Sequence, residues 1–450
     1  MSEEVTLDEF ADSSDSADTQ KRLESRFWGE VPDHWELVNG SDVYEVNPNP
    51  KPNEEPNTYI EMDALDTELP YPEYFGERNA SEYSGKTFTK GDTLFARITP
   101  CTENGKAALV PEMDTEVGIG STEYAVLSPR TDRINSWLLY YLSKSHPIHN
   151  YAISRMRGST GRQRVPFSVF RRELDIALPP LSEQRKIAAV LYTIDQAIEK
   201  TEEIIEQAHT VKKSLMQDVF HGRHKDFKHY QTTPVGEIPT DWSVASIGDV
   251  VHTAQYGISE SLSEEGQYPI FRMNNIKYGY MIDEPLKFID LDDDEFEKYR
   301  VEQGDILFNR TNSLKLVGKT GIYELDDDHV FASYLVRLQT NNKADPYYLN
   351  YYMNSSEAQN RMMDFATKGV SQANINANSI QQVKLPLPPI TEQQEIADHI
   401  GGVDSQIGAN KQYKSQLHRL KLGLMQDLLS GTVRTADTSI EIPEKIAQYG

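Results

Sequence analysis

Leu178-Pro179-Pro180-Leu181-Ser182-Glu183-Gln184 and Leu387-Pro388-Pro389-Ile390-Thr391-Glu392-Gln393 are one heptapeptide written twice, 209 residues apart. The match runs without a gap to Gly222 and Gly431, with 17 identities in 45 positions, including Leu-Met-Gln-Asp at 215–218 and 424–427. A repeat of that quality makes the chain a tandem duplication, and everything else is placed relative to its two copies.

Each copy reads as one long helix. Ser182 and Thr391 follow prolines and precede Glu-Gln, a pattern that predicts hydroxyl caps on the first free backbone N–H groups. In the second copy Ile396, Ile400, Val403, Ile407, Asn410, Lys414, Leu417, Lys421, Leu424 and Leu428 alternate steps of four and three. The aligned first-copy positions are Ile187, Leu191, Ile194, Ile198, Thr201, Ile205, Ala208, Lys212, Leu215 and Val219. This is a coiled-coil seam about 40 residues, hence ~60 Å, long. Two equal stripes in one chain are expected to pair with each other, with the polar step Thr201/Asn410 fixing register.

Ahead of each helix lies a block of about 150 residues. Gly29-Glu30-Val31-Pro32-Asp33-His34-Trp35 returns as Gly236-Glu237-Ile238-Pro239-Thr240-Asp241-Trp242. Gly91-Asp92-Thr93-Leu94-Phe95-Ala96-Arg97 returns as Gly304-Asp305-Ile306-Leu307-Phe308-Asn309-Arg310, with Gly105-Lys106 and Gly318-Lys319 in step. Alternating runs at 122–127 and 334–338 predict strands, and 137–142 and 348–353 predict short helices, so each block is α+β. The expected division is an acidic, disordered tail over 1–25, a first domain over 26–180, a helix over 181–222, a linker over 223–235, a second domain over 236–388, a second helix over 389–434 and a fraying tail over 435–450.

Composition removes several function classes. Of 450 residues 38% are hydrophobic, enough for folded cores, and the lone Cys101 cannot form an internal disulfide or a Cys-based zinc site. No apolar run reaches the length that crosses a bilayer, and the start Met-Ser-Glu-Glu carries no basic, apolar leader, so a cytoplasmic protein is expected. Catalytic motifs are missing: Asp345-Pro346-Tyr347-Tyr348 lacks the second proline of an amino-methyltransferase tetrad, and Gly318-Lys319-Thr320 lacks the upstream glycine of a phosphate loop, because Ser313 stands there. His209 and His418 occupy equivalent helical positions with no second ligand in step, so no metal site and no catalytic residue are expected.

The charge is −25, with 70 Asp and Glu against 45 Lys and Arg. Such a surface opposes phosphate binding unless the protein works in concentrated salt, where repulsion is screened, so a halophilic source is expected. Positive charge is nevertheless concentrated: Arg155, Arg157, Arg162, Arg164, Arg171 and Arg172 fall in one stretch without an acid, interrupted by Gly158-Ser159-Thr160-Gly161. In the second block the corresponding stretch holds Lys368, Gln372, Asn374, Asn376 and Asn378 around Gly369. Arginine suits guanine edges and amides suit adenine edges in a major groove, so these are the candidate DNA contacts. A polar loop satisfying its own backbone is the competing reading for the amides.

From Gly29 to Gly431 the chain resembles the specificity subunit of a type I restriction-modification system, through the three duplicated motifs taken in order. The resemblance implies two target-recognition domains, each reading one part of a bipartite, asymmetric site in double-stranded DNA, and each followed by a long helix. The helices would pair as an antiparallel coiled coil that sets the spacer. They would also dock two modification subunits, with Ile187, Leu191, Ile194, Ile198, Leu215, Ile396, Ile400, Val403, Ile407, Leu417 and Leu424 serving helix pairing and docking. S-adenosylmethionine, ATP and Mg would belong to the modification and restriction subunits, two of each, and no cofactor to this chain. A coiled-coil scaffold that has lost DNA binding is the alternative, favoured by the net charge.

Overall fold

The computed structural model describes residues 23–449 apart from 53–54, 83, 315 and 369–371. The chain forms two compact units, one running to Glu202 and resuming at Tyr413, the other spanning Glu203–Gln412. The boundaries therefore cut each long helix near its middle instead of falling between block and helix. Each unit packs the first half of its own following helix against the last half of the other copy.

In the first unit Tyr44–Val46, Tyr124–Pro129, Thr93–Ala96 and Ala107–Leu109 form one four-stranded sheet, and Gly76–Arg78, Asn57–Ile60, Val117–Gly120 and Lys86–Thr89 form another. Glu36–Asn39 pairs antiparallel with Asp175–Leu178, tying the start of the block to its end. The helix Ser136–Lys144 carries Trp137, Tyr140 and Tyr141 into a core shared with Ile187, Leu191 and Tyr192 of the long helix. In the second unit Val251–Tyr256, Leu335–Thr340, Ile306–Asn309, Thr320–Ile322, Tyr280–Met281 and Ile276–Lys277 make a six-stranded sheet. Ser243–Ser246 pairs with Lys384–Leu387 to close that block in the same way.

The long helices run Leu181–Val219 and Ile390–Ser430. Ser182 and Thr391 thus lie inside the first turn, and the expected hydroxyl caps give way to a different device. Gln184 Nε2 donates to the Pro179 and Arg133 carbonyls while its Oε1 accepts from Asn135 N–H. Gln393 repeats this with Pro388, Lys343 and Asp345. Asn135 and Asp345 cap the helices Ser136–Lys144 and Pro346–Met353, so one glutamine couples two helix starts. The preceding glutamate is a second anchor. Glu183 accepts from Trp35 Nε1 at 3.0 Å and from Arg434 at 2.8 Å. Burial pushes its pKa up, but these donors outweigh that and hold it below the usual carboxylate range. Glu392 accepts from Trp242 Nε1 at 3.1 Å, with His224 and Lys225 in the place of Arg434.

At the far ends Gly222 and Gly431 take φ of +72° and +77°. A Cβ would come within 2.3 Å of Pro239 at the first and of Pro32 at the second. The proline of each Gly-Glu-[Val/Ile]-Pro motif therefore rests on a helix-terminal glycine.

The helices pair, as the stripes led one to expect, and the sense is antiparallel, as the resemblance implied. Lys421 Nζ lies 2.5 Å from Asp195 Oδ1 and Lys414 Nζ 2.8 Å from Glu202 in the first unit. Lys212 Nζ lies 2.6 Å from Asp404 in the second. The two residue numbers have the same sum in all three pairs, so one register holds in both units. Thr201 and Asn410 do not set it: Thr201 Oγ1 donates to Ala197 O and Asn410 Nδ2 to Gln406 O, each within its own helix. Of the seam positions Ile187, Leu191, Ile198, Leu417, Ile396, Ile400 and Ile407 are buried, whereas Ile194, Leu215, Val403 and Leu424 are half-buried.

Among the described residues, parts of three segments expected to be punctuation are ordered. Glu24–Ser25 pairs with Gly29–Glu30, and residues 1–22 of the acidic tail lie outside the described residues. Within the expected linker Tyr230–Thr233 pairs with Gly236–Pro239 in the second unit. At the other end the helix Glu444–Ala447 buries Ile446 and is followed by the buried Tyr449, both in the first unit's core. The Lys445 carbonyl accepts from Trp137 Nε1 and the Tyr449 carbonyl from Ser136 N–H. The apolar Ile446 and Tyr449, scattered among polar residues, give that tail something to bury.

Candidate nucleic-acid interface

Arg155–Arg172 is not a free loop throughout. Arg157 and Arg164 exchange backbone hydrogen bonds at 3.0 and 2.9 Å, making a hairpin whose tip is 158–163. Val165 N–H donates to Arg97 O, which fixes the hairpin to the end of the strand Thr93–Ala96. The second unit repeats the arrangement. Thr367 and Lys368 pair with Asn374 and Ala373, Thr311 pairs with Asn374 as Ile98 does with Arg164, and Ile375 N–H donates to Arg310 O. The two clusters therefore occupy equivalent hairpins on equivalent scaffolds.

The side chains divide into held and free. Arg164 makes a forked contact with Glu123, its Nη2 at 2.7 Å from Oε1, and Arg97 Nη1 reaches the same carboxylate at 3.2 Å. Hydrogen bonds from Arg164, ahead of its charge and that of Arg97, hold Glu123 below the usual carboxylate range. Arg155 is 2.8 Å from Glu173. The stretch has no acid of its own, but the fold brings one to each of these arginines. Arg157, Arg162, Arg171 and Arg172 are exposed with no ion pair among the described residues. Arg171 and Lys86 lie 5.8 and 5.2 Å from the Phe167 ring centre, with Arg97 at 4.2 Å.

In the second unit Asn376 caps the turn Ala377–Ile380 through Ser379 N–H, so it is a structural amide. Asn374 donates to Thr311 Oγ1 at 2.6 Å. Gln372 and Asn378 are exposed, the side chain of Lys368 is outside what is described, and Gly369 with its next two residues lies outside the described residues. Sequence reasoning passed over Arg310. It is the counterpart of Arg97, but where Arg97 N–H donates to the Glu123 carbonyl, Arg310 N–H donates to that of Tyr334. With tyrosine in place of the acid, Arg310 has no carboxylate partner among the described residues; it stacks 4.7 Å from the Tyr256 ring centre, and both tyrosines are exposed. The signal was available: Arg closes both Gly-Asp-x-Leu-Phe motifs.

Among the described residues no cluster of His, Cys, Asp and Glu could hold a metal, and no helix is long and apolar enough to cross a membrane. What the geometry offers is two cationic or amide-rich hairpins presented by duplicated α+β scaffolds, with paired helices rising from each.

Residues 32–209 and 239–419 each match the type I restriction modification DNA specificity domain, and the chain belongs to that family. It is 26% identical over 431 residues to a putative type I restriction enzyme MjaX specificity subunit of Methanocaldococcus jannaschii, covering 90% of this chain and 95% of that one. It is 25% identical over 282 residues to the EcoKI specificity subunit of Escherichia coli, covering 61% of each. In fold it resembles a chain from a type I restriction-modification system (TM-score 0.55, 21% identity, 90% of this chain and 99% of that one). It also resembles the S subunit of M. genitalium (TM-score 0.53, 14% identity, 88% and 96%).

Proposed function

We propose that the chain gives a type I restriction-modification complex its DNA sequence specificity, each unit reading one half of a bipartite site through its hairpin and the surface beside it. The observation that carries this reading is the pairing of a shared scaffold with divergent hairpins. Both hairpins hang from the same strand end by the same backbone bond, yet the first exposes Arg157 and Arg162 while the second exposes Gln372 beside Arg310 at the strand end. That is what two readers of two different half-sites require.

The chain carries no catalysis of its own in this reading. Methyl transfer to adenine N6, with S-adenosylmethionine, belongs to two modification subunits, and ATP- and Mg-dependent cleavage to two restriction subunits. The paired helices set the spacer and dock the modification subunits. Exposed Ile204, Val211, Leu420 and Leu422 on those helices support docking, because apolar side chains in water are what a protein interface covers. The cytoplasm of a salt-rich cell is the setting that reconciles a charge of −25 with DNA binding.

Selection of the full chain, with its modification subunits, from a random duplex pool in high KCl tests the reading. The expected product is two short motifs separated by a fixed unspecified spacer, and Arg157→Ala with Arg162→Ala degrades one motif only. One uninterrupted motif, or none, overturns it.

A further inference from the structure

The second unit contains a cleft of about 690 Å³ between its domain and its helices. Five lysines line it, Lys212, Lys213, Lys277, Lys319 and Lys411, together with His209. In a chain so acidic, this concentration of positive charge is unusual. Lys212 is matched by Asp404, but Lys213, Lys277 and Lys319 are exposed and meet no acid among the described residues. Lys411 Nζ sits 3.4 Å from the centre of the Tyr278 ring, which is exposed and also faces His209.

The duplication supplies an internal control. His209 and Lys212 align with His418 and Lys421, and those residues line a cleft of only about 220 Å³ in the first unit. There an acidic loop fills the space. Glu68 Oε2 lies 3.2 Å from His418 and 3.4 Å from Lys414, and Lys421 donates to the Glu68 carbonyl at 3.0 Å.

The register shows what changed. Leu109 N–H donates to Pro70 O, and its counterpart Ile322 N–H donates to Gly279 O. Counting back two residues from each acceptor, Glu68 corresponds to Lys277. Along the helices Glu202, the partner of Lys414, corresponds to Lys411. Glu68, which lines the first cleft, and Glu202, which meets it on Lys414, are thus lysines in the second cleft, whose own lining acids are already engaged, Asp404 by Lys212 and Glu357 by His221 and Arg361.

We propose that the cleft of the second unit binds an acidic peptide segment of another protein chain, whose carboxylates take the place that Glu68 fills from within the first unit. The cis example fixes the chemistry as carboxylate and backbone carbonyl rather than phosphate. Met216, Phe220 and Ile407 on the floor give such a segment an apolar anchor. In a salt-rich cell the Debye length shrinks to roughly 3 Å, so the lysines at the rim that meet no acid act by direct contact with the carboxylates instead of by long-range attraction. The inference is independent of DNA recognition.

The test is fluorescence anisotropy of the full chain with labelled acetyl-Glu-Leu-Glu-Phe-Glu-amide, beside the same peptide with Gln for Glu, inorganic phosphate, and a duplex oligonucleotide as competitors. Saturable binding of the Glu peptide is expected, at least tenfold weaker with the Gln peptide. Lys277→Glu is expected to weaken it at least tenfold by restoring the acid of the first unit, while Lys51→Glu, on the first unit's surface, leaves it unchanged. Thermal melting confirms that the variants fold, and Lys213→Glu supplies a second exposed position. Equal binding by parent and both cleft variants, no binding at all, or displacement by phosphate or duplex at lower concentration than by unlabelled peptide overturns the proposal.

Discussion

Removing the carboxylate of Asp195 tests how the helix pair is held. In the first unit Asp195 is 1% and Lys421 9% exposed by side chain, their charges 2.5 Å apart, and Tyr141 donates to the second oxygen at 2.7 Å. Asp195→Ala leaves the ammonium of Lys421 in the interior with the Glu68 carbonyl as its remaining hydrogen-bond partner. Breaking a buried pair from one side costs about 3–5 kcal/mol, and the orphaned tyrosine hydroxyl adds about 1 kcal/mol. The equivalent Asp404→Ala costs less, because Lys212 and Asp404 are 16% and 13% exposed and water reaches both. Hydrogen exchange of the full chain, followed in peptides covering 187–198 and 417–428 for the first unit and 208–219 and 396–407 for the second, separates the two effects. Asp195→Ala is expected to speed exchange in its own peptides by roughly 10²-fold or more, and Asp404→Ala by a smaller factor. Asp195→Leu with Lys421→Met is expected to recover most of the loss, since an apolar pair of similar volume has no desolvation cost. Equal effects at the two sites, a change under about 1 kcal/mol at Asp195, or a double variant as weak as the single one would refute the reasoning.

Other outcomes follow from the hairpins and the buried acids. Arg164→Ala is expected to lower the melting temperature, by releasing Glu123 beside a partly desolvated Arg97, whereas Arg157→Ala with Arg162→Ala lowers DNA affinity and leaves melting unchanged. Arg310→Ala is expected to relax preference at the half-site of the second unit by about 1–3 kcal/mol for each base that Arg310 reads, measured by selection from a random duplex pool, with the other half-site intact. Burial pushes Asp92 up to about 6 against hydrogen bonds from Ser128 and Thr89. The folded state therefore holds a proton that the unfolded chain has released, and stability falls as pH rises from about 4 to about 6 and is level above. Asp92→Asn is expected to gain on the parent across that window by up to about 3 kcal/mol, measured by denaturant unfolding at each pH; a constant difference refutes the assignment.

The fold was legible where the duplication preserved side chains. The heptapeptide at 178–184 and 387–393 located both long helices, and the stripes implied their pairing. Its internal logic was not legible, because Glu183 and Gln184 act on Trp35, Arg434 and Asn135, residues far away in sequence. The identities Asp195/Asp404 and Lys212/Lys421 were in plain view, but periodicity put the lysines in the seam and the aspartates beside it without showing that they pair from helix to helix. The division into two compact units was not legible for a related reason: antiparallel pairing gives each unit the end of the other copy's helix, and linear composition does not carry that. At the candidate interface the arginine stretch was found as a place, but which arginines are free depended on Glu123 and Glu173. Asn376 shows the opposite failure, an amide of reading chemistry engaged as a helix cap.

The central claim, one half-site per unit, is tested most directly by mapping N6-methyladenine across the genome of cells that carry this gene with its modification partner, and of cells in which the gene alone is deleted. The account expects one bipartite, asymmetric motif to lose methylation on both strands when the gene is removed. An unchanged methylation map, in cells where the partner is expressed and the chain is present before deletion, would contradict it.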